Sequence, residues 1–219
     1  MPHALPRPIT CLITSGATLS STTRGDAEFR AVLALVGRAV AARVTLVQLR
    51  EKNLSARVLF ELAAGAADLA RGSRTRVLVN DRADVARAAG CDGVHLAADS
   101  LEASTVRRAF GPDFVVGVSA HSHAEARAAR DGGADFALLG PVFDTPSKRA
   151  YGPPLGLERF GEAARALSPF PVVALGGVTL ENARACFDAG ARGVAAIRLF
   201  ADAGDLAAVL RAAEEFSRQ

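Results

Sequence analysis

The sequence predicts an α/β fold, a (β/α)₈ TIM barrel formed by a single domain over residues 1–219. Eight short apolar runs alternate with eight helical patterns along the chain, which is the count of such a barrel. None of the runs alternates cleanly between apolar and polar residues, as is typical of strands buried on both faces of a parallel sheet. A doubly wound open sheet also alternates strands and helices, but it usually has fewer strands at this length.

The predicted strands are rich in β-branched and aliphatic residues. They are Ile9–Thr14, Val44–Leu49, Arg76–Val79, Gly93–Leu96, Phe114–Val118, Phe136–Leu139, Pro171–Leu175 and Gly193–Ile197. The first predicted helix begins at Asp26 and repeats apolar residues on one face, at Phe29, Val32, Leu33, Val36 and Val40. The other predicted helices are Leu54–Arg71, Arg82–Ala89, Leu101–Phe110, His123–Asp131, Leu157–Leu167, Thr179–Ala189 and Asp205–Phe216.

The composition excludes several classes of protein. Half of the residues are hydrophobic, enough for a substantial core in one domain. The formal net charge is +3 and the positive charges are scattered, so no nucleic-acid partner is predicted. No stretch is long and apolar enough to span a bilayer, and the proline-containing first ten residues do not form a secretory signal.

The cysteines indicate the compartment. Cys11, Cys91 and Cys186 are odd in number, far apart and embedded in apolar or helical patterns. We therefore expect buried thiols in a reducing cytoplasm, not disulfides or a zinc site. The sequence does not determine the oligomeric state, and it is compatible with a homo-oligomer.

Polar residues follow seven of the predicted strands, from the second to the eighth. The carboxyl ends of barrel strands converge on one mouth, the face where barrel enzymes carry out their chemistry. We therefore expect these residues to share one site. They are Gln48, Arg50 and Lys52; Asn80 and Asp81; His95 and Asp99; Ser119 and His121; Thr145, Ser147 and Lys148; Gly176 and Gly177; and Arg198.

Lysine is rare in this chain. Lys52 and Lys148 are its two lysines, and the other 24 of 26 basic side chains are arginines. Since lysine is a compact point charge, both are predicted to contact phosphate or pyrophosphate; the alternative is that they are solvated loop residues. Strand alternation would point Gln48, Arg50 and Lys52 the same way, and two cations in a barrel mouth need an anion. The alternative there is a surface ion pair made by Glu51.

Asp81 allows two interpretations. As a carboxylate at a strand end, it could hold Mg²⁺, which binds through one or two carboxylates plus substrate phosphate oxygens. Alternatively, Asp81 caps the helix that begins near Arg82.

The Gly176–Gly177 pair lies between strand seven and its helix. Without side chains, its backbone N–H groups can approach an anion at a helix start, where barrels commonly bind phosphate. The alternative is a tight turn that requires glycine.

Two histidines have different predicted roles. His121 follows Ser119 with one residue between them and could transfer protons near neutral pH. His95, inside a strand, is interpreted as a packed or hydrogen-bonded histidine.

The sequence resembles the thiamine phosphate synthase/TenI superfamily across nearly its whole length. The motifs that carry the resemblance occur in order at the family's spacing: VQLREK (47–52), VNDRAD (79–84), DGVHL (92–96), GVSAHS (117–122), GADFALLGPVFDTPSK (133–148), GPPLGLE (152–158) and VVALGGVTLENA (172–183). The resemblance implies one of two activities. The synthase couples hydroxymethylpyrimidine diphosphate to thiazole phosphate and releases pyrophosphate, whereas the TenI branch includes thiazole tautomerases.

The resemblance also implies residue roles in a synthase. Gln48, Arg50, Lys52 and Asn80 would hold the pyrimidine diphosphate, and Asp81 would hold Mg²⁺. Ser119 and Lys148 would contact the departing pyrophosphate, while Thr145, Ser147, Gly176 and Gly177 would bind the thiazole phosphate. We therefore predict Lys148, Ser119, His121 and Arg50 as the catalytic residues.

Two positions depart from the family pattern. Ser100 stands where synthases have a second Mg²⁺-binding aspartate, and the neighbouring Asp99 would replace that ligand only if the loop shifts. Arg198 stands near a usual serine, so it would contact phosphate or fill the site. SAHS (119–122) and the Asp-Ser-Leu at 99–101 are closer to TenI proteins, whereas QLREK, NDR and TPSK are closer to synthases. We expect a synthase; the alternatives are a tautomerase with His121 as its acid/base and a non-catalytic protein that binds thiamine precursors.

Overall fold

The computed structural model describes residues 5–97, 99–145 and 153–218. Eight parallel strands form a closed barrel in which each strand pairs with its neighbours in sequence and β8 pairs with β1. The barrel prediction is confirmed. The strands are β1 Ile9–Ile13, β2 Leu46–Leu49, β3 Arg76–Asn80, β4 Gly93–Leu96, β5 Val115–Ala120, β6 Phe136–Leu139, β7 Val172–Leu175 and β8 Gly193–Ala196.

The helices alternate with the strands. They are α1 Ala27–Ala42, α2 Ala56–Ala70, α3 Ala83–Ala88, α4 Ala103–Phe110, α5 His123–Asp131, α6 Gly156–Leu167, α7 Leu180–Asp188, α8 Arg198–Ala201 and α9 Leu206–Phe216. The sequence did not predict α8, because a four-residue helix is too short to show a helical period. It begins at Arg198, so that residue opens a short helix beyond the end of β8.

Two apolar clusters form the core. The larger one lies between the strands and the surrounding helices. The smaller one fills the barrel interior, with residues such as Leu46, Leu78 and Phe136 from different strands. It forms a packed apolar floor below the carboxyl ends of the strands.

Strand β4 brings the imidazole ring of His95 into the barrel interior. His95 is 1% exposed, and its ring centroid lies 5.8 Å from that of Phe136. On the paired strand, Gly117 faces both rings, because a Cβ atom there would lie 2.6 Å from His95 Nδ1 and 2.3 Å from Phe136 Cζ. The missing side chain at Gly117 is therefore what admits the imidazole.

The predicted burial of the cysteines is confirmed, since Cys11, Cys91 and Cys186 are buried and free. Burial raises the pKa of the Cys11 thiol to about 12, which keeps it protonated and unreactive at neutral pH. Within the described residues, no helix is both long and apolar enough to cross a membrane.

Candidate functional site

A chain of hydrogen bonds joins the carboxyl ends of β2 and β3. Gln48 Nε2 donates to Asn80 Oδ1 at 2.8 Å, and Asn80 Nδ2 donates to Asp81 Oδ2 at 2.7 Å. Gln48 is 3% exposed, and its Oε1 atom is buried without a hydrogen-bond partner among the described residues. A buried acceptor without a partner costs about 1–3 kcal/mol, so this oxygen retains the capacity to accept a hydrogen bond.

Asp81 is fixed by the loop that follows β4. Its backbone adopts a left-handed conformation, with φ at 59°, and its N–H donates to His95 O at 2.9 Å. Its Oδ1 atom accepts hydrogen bonds from Ala97 N, at 2.8 Å, and from Ser100 Oγ. Helix α3 has Arg82 as its N-cap residue and no side-chain cap bond. The helix-cap interpretation of Asp81 is therefore wrong, because its carboxylate faces the β4–α4 loop.

His95 and Ser119 form a second polar contact inside the barrel. His95 Nε2 lies 2.9 Å from Ser119 Oγ, while Nδ1 is buried without a partner in the described part of the chain. Burial lowers the pKa of His95 to about 4, against a smaller opposing effect of the Asp81 charge. The ring is therefore neutral at pH 7, and the interpretation of His95 as packed and hydrogen-bonded is confirmed.

The segment after β2 differs from its predicted geometry. The strand ends at Leu49. The side-chain alternation that was predicted to continue through Lys52 therefore ends three residues earlier. Arg50 is partly buried and Lys52 is exposed. Between them, Glu51 is only 2% exposed and accepts hydrogen bonds from Gly16 and Thr18. The interpretation of Glu51 as a member of a surface ion pair is therefore wrong.

His121 lies outside the polar chain of the barrel interior. Its side chain is 47% exposed. Its backbone N–H donates to Glu125 Oε2 at 2.8 Å, and its ring Nδ1 lies 3.4 Å from the same oxygen. Ser119, two residues earlier, contacts His95 instead. The two residues that the sequence placed on one side thus have different partners.

The loops after β6 and β7 pack against each other. Gly176 and Gly177 have φ values of 92° and 68°. A Cβ atom at Gly176 would lie 2.5 Å from Pro141 Cα, and one at Gly177 would lie 2.7 Å from Phe143 Cβ. The turn and the loop contact both require glycine here, as the alternative interpretation expected. Phosphate binding by this pair stays a prediction.

Thr145 begins the part of the β6–α6 loop that the sequence assigned to phosphate. Its Oγ1 atom is buried and has no hydrogen-bond partner among the described residues, and its role in phosphate binding stays a prediction. Ser147 and Lys148, predicted for the same loop, lie outside the described residues.

The predicted metal ligands differ in their surroundings. Asp81 is enclosed by the three hydrogen bonds described above, whereas Asp99 is exposed. Ser100 is thus the side chain of this loop that contacts Asp81. In the described part of the chain, no cluster of three or more His, Cys, Asp or Glu side chains could hold a metal ion. Arg198, at the start of α8, is also exposed.

Known proteins identify the family. The family model for thiamine monophosphate synthase matches residues 20–200. The chain belongs to the thiamine monophosphate synthase family. The thiamine-phosphate synthase of Roseiflexus sp. (strain RS-1) is 40% identical over 191 residues, which cover 87% of this chain and 80% of that protein. The thiamine-phosphate synthase of Moorella thermoacetica is 41% identical, covering 85% of this chain and 88% of that one.

Solved structures with a similar fold include one from the same family. A thiamine phosphate pyrophosphorylase from Pyrococcus furiosus superposes with a TM-score of 0.77 and 27% identity, covering 96% of both chains. A 3-hexulose-6-phosphate synthase superposes with a TM-score of 0.62 at 21% identity, covering 94% of this chain and 98% of that one. The second likeness concerns the fold alone, since one barrel architecture carries many activities.

Proposed function

We propose that this protein is a thiamine phosphate synthase, which couples hydroxymethylpyrimidine diphosphate to hydroxyethylthiazole phosphate and releases pyrophosphate. Its membership in the thiamine monophosphate synthase family supports this function. The observation that carries the proposal is the polar chain from Gln48 through Asn80 to Asp81. It places an unpaired acceptor and a fixed carboxylate above the apolar floor of the barrel, with Arg50 two residues after Gln48.

The reaction requires stabilisation of the leaving group. The bond between the pyrimidine methylene carbon and the diphosphate oxygen breaks, and the departing pyrophosphate takes the electron pair. The thiazole nitrogen then forms its bond to the resulting pyrimidine cation. Negative charge therefore develops on the pyrophosphate, where fixed cations and hydrogen-bond donors are most effective. We assign Arg50, Lys52 and Lys148 as those cations.

Ser119 would donate to the same leaving group. The neutral His95 ring supports this role if its Nε2–H donates to Ser119 Oγ, because the serine hydroxyl hydrogen is then free. That tautomer leaves Nδ1 as an unpaired acceptor, which is less unusual in a protein interior than an unpaired N–H donor.

The residues around Asp81 fit a Mg²⁺ ion that binds together with substrate. Three hydrogen bonds already occupy the carboxylate, which has about four lone-pair sites. One carboxylate contact leaves the remaining ligands to diphosphate oxygens and water, as Mg²⁺ commonly accepts. The ion would neutralise charge on the leaving group. Asp99 would join it only after a movement of the exposed loop.

We place the thiazole phosphate at the loops after β6, β7 and β8. The Thr145 hydroxyl, which has no hydrogen-bond partner among the described residues, supports this placement, as does the general use of the β7 and β8 loops for phosphate in barrels. Ser147 and the Gly176–Gly177 backbone are assigned to the same phosphate by the family resemblance. Arg198, at the first residue of α8, would reach it from the solvent side. The free, buried cysteines support a cytoplasmic location.

A coupling assay tests the function. Purified protein with both phosphorylated precursors and Mg²⁺ should form thiamine phosphate, and Asp81→Ala should abolish the activity. Metal-independent isomerisation of a thiazole carboxylate phosphate, without coupling, would identify a tautomerase instead. Tight binding of a precursor with neither activity would identify a non-catalytic binding protein.

A further inference from the structure

A buried carboxylate separates two residues that we assign to the diphosphate. Glu51 is 2% exposed, while the preceding Arg50 is partly buried and the following Lys52 is exposed. Acidic side chains are almost never this buried unless they are paired. A negative charge between two cations would also weaken their attraction for a phosphate if it faced the mouth. The direction in which the Glu51 carboxylate points therefore decides whether it opposes phosphate binding.

The Glu51 carboxylate points to the loop after β1. Its Oε1 atom accepts a hydrogen bond from Gly16 N at 3.2 Å. Its Oε2 atom accepts from Thr18 N at 3.2 Å and from Thr18 Oγ1 at 2.7 Å. Thr18 is itself 1% exposed. We call these three residues, Glu51, Gly16 and Thr18, the Glu51 clamp.

Two further bonds hold the same two loops together. Arg50 N donates to Thr14 Oγ1 at 2.8 Å, and Asn53 Nδ2 donates to Thr18 O at 3.2 Å. The segment from Arg50 to Asn53 is thus attached to the β1–α1 loop on both sides of Glu51. Because the Glu51 carboxylate, the Arg50 backbone N–H and the Asn53 side chain are all bonded to the β1–α1 loop, the backbone between them has few alternative paths.

The chemistry of the clamp favours a role in geometry over one in stability. Its three donors are two backbone N–H groups and a hydroxyl, all uncharged. Burying a carboxylate against neutral donors is costly, and apolar side chains of similar volume often pack as well or better. Buried charged groups are nevertheless retained in some proteins because they specify one arrangement.

We propose that Glu51 is a positioning residue for diphosphate binding: the Glu51 clamp fixes the backbone from which Arg50 and Lys52 reach the diphosphate. This inference rests on the proposed function. It predicts that loss of the clamp weakens binding of the diphosphate substrate selectively, while the thiazole phosphate, which binds at other strand ends, is little affected.

The test uses two isosteric substitutions in the clamp, Glu51→Gln and Thr18→Val. Glu51→Gln keeps the shape of the side chain but places an amide NH₂ where an oxygen accepted hydrogen bonds. Thr18→Val removes the hydroxyl donor of the clamp, and Thr18→Ser retains it. Thr75→Val is the matched control, because Thr75 is also buried and donates a 2.7 Å hydrogen bond, to Val44 O, at the opposite end of the barrel.

Steady-state KM values for both substrates are measured together with calorimetric Kd values for inorganic pyrophosphate in the presence of Mg²⁺. We expect Glu51→Gln to raise the diphosphate KM and the pyrophosphate Kd about ten-fold, a loss of ~1.4 kcal/mol of binding free energy. The thiazole phosphate KM should stay within about two-fold, as expected for a substrate bound elsewhere. Thr18→Val should also raise the diphosphate KM and the pyrophosphate Kd, whereas Thr18→Ser should leave both near the parent values. Thr75→Val should lower Tm and leave both KM values and the Kd unchanged.

Three results would overturn the inference: equal changes in both KM values, an unchanged pyrophosphate Kd in Glu51→Gln, or the same increase in Thr75→Val. If the parent protein formed no thiamine phosphate, the proposed function would fail, while the pyrophosphate titration would still decide the role of Glu51. A parent protein that binds no pyrophosphate would overturn the inference, while the coupling assay would still decide the proposed function.

Discussion

Ser100 donates a hydrogen bond to the Asp81 carboxylate. The family resemblance puts a second Mg²⁺-binding aspartate at the position of Ser100, so a neutral donor here replaces an anionic ligand. The hydroxyl also occupies a lone pair of Asp81 that a cation would otherwise use. The Ser100–Asp81 pair therefore suits a metal that arrives with its phosphate ligands.

The first prediction concerns metal affinity. Without diphosphate, Mg²⁺ should bind this protein weakly, because one largely occupied carboxylate is a poor site for it. Ser100→Asp should tighten diphosphate-free Mg²⁺ binding by at least about ten-fold, since it adds a second carboxylate ligand. Isothermal calorimetry measures both affinities.

Asp99→Ala is the control for that experiment. It should leave the affinity for Mg²⁺ unchanged, because Asp99 is exposed and Asp81 is contacted by Ser100. Tight Mg²⁺ binding by the parent protein that disappears in Asp99→Ala would show instead that Asp99 is the second ligand.

The second prediction concerns pH and stability. Burial lowers the pKa of His95 to about 4 from its ordinary value of 6.5, so the unfolded state binds more protons than the folded state between these values. Stability is therefore fully present above pH 6.5 and falls as the pH falls towards 4. His95 alone should lower the free energy of unfolding by about 2 kcal/mol between pH 7 and pH 5.

Urea unfolding at both pH values measures this change. In His95→Gln the decrease should be smaller than in the parent by the same amount, because glutamine does not titrate. His121→Gln is the matched control, since the His121 side chain is half exposed. An equal pH dependence in the parent and in His95→Gln would contradict the prediction.

The third prediction concerns the two lysines. Lys148→Ala should lower kcat by at least about 100-fold while changing thiazole phosphate binding far less, because its expected partner is the leaving group in the transition state. Steady-state kinetics with both substrates separates the two effects. A kcat within a few-fold of the parent value would show that Lys148 is a solvated loop residue.

Lys52→Arg is the companion variant. The planar fork of arginine should fit poorly where a point charge is needed, so we expect a raised KM for the pyrimidine diphosphate. Unchanged kinetics would mean that the scarcity of lysine in this chain carries no functional information.

The fourth prediction separates the two branches of the superfamily. His121→Ala should reduce coupling only partly, by less than about ten-fold, because the coupling chemistry relies on charge stabilisation more than on proton transfer. The exposed ring and its contact with Glu125 agree with a secondary role. Glu125→Ala should have a similarly small effect in the same assay. Complete loss of activity in His121→Ala would favour the tautomerase.

The sequence assigned the candidate site residues to strand ends better than it described the contacts among them. Gln48, Asn80 and His95 could be assigned to strands because each lies in or directly after an apolar run. The strand pairings then bring Gln48 beside Asn80 and His95 beside Ser119. Interpretations that depended on a local rule were less successful. Helix capping explained Asp81 wrongly, and strand alternation was extended past Leu49, where β2 ends.

Glu51 shows which signal was available and which was not. Strand alternation would turn a residue between two mouth-facing cations away from the mouth, but β2 ends at Leu49. The sequence therefore did not predict the burial of Glu51. Nor does it identify the partners of that residue, Gly16 and Thr18, since the polar atoms that accept or donate across a barrel come from loops distant in sequence.

The sequence by itself determined the barrel and the candidate polar residues that follow its strands, because apolar runs and strand ends are local properties of a chain. The tertiary structure alone decided which of those residues touch. The bond between Ser100 and Asp81 joins residues 19 positions apart, and the bond between Glu51 and Gly16 joins residues 35 positions apart. Such pairs form only when the pairing of neighbouring strands brings their carboxyl ends together, so partner and direction follow from the packing of the loops.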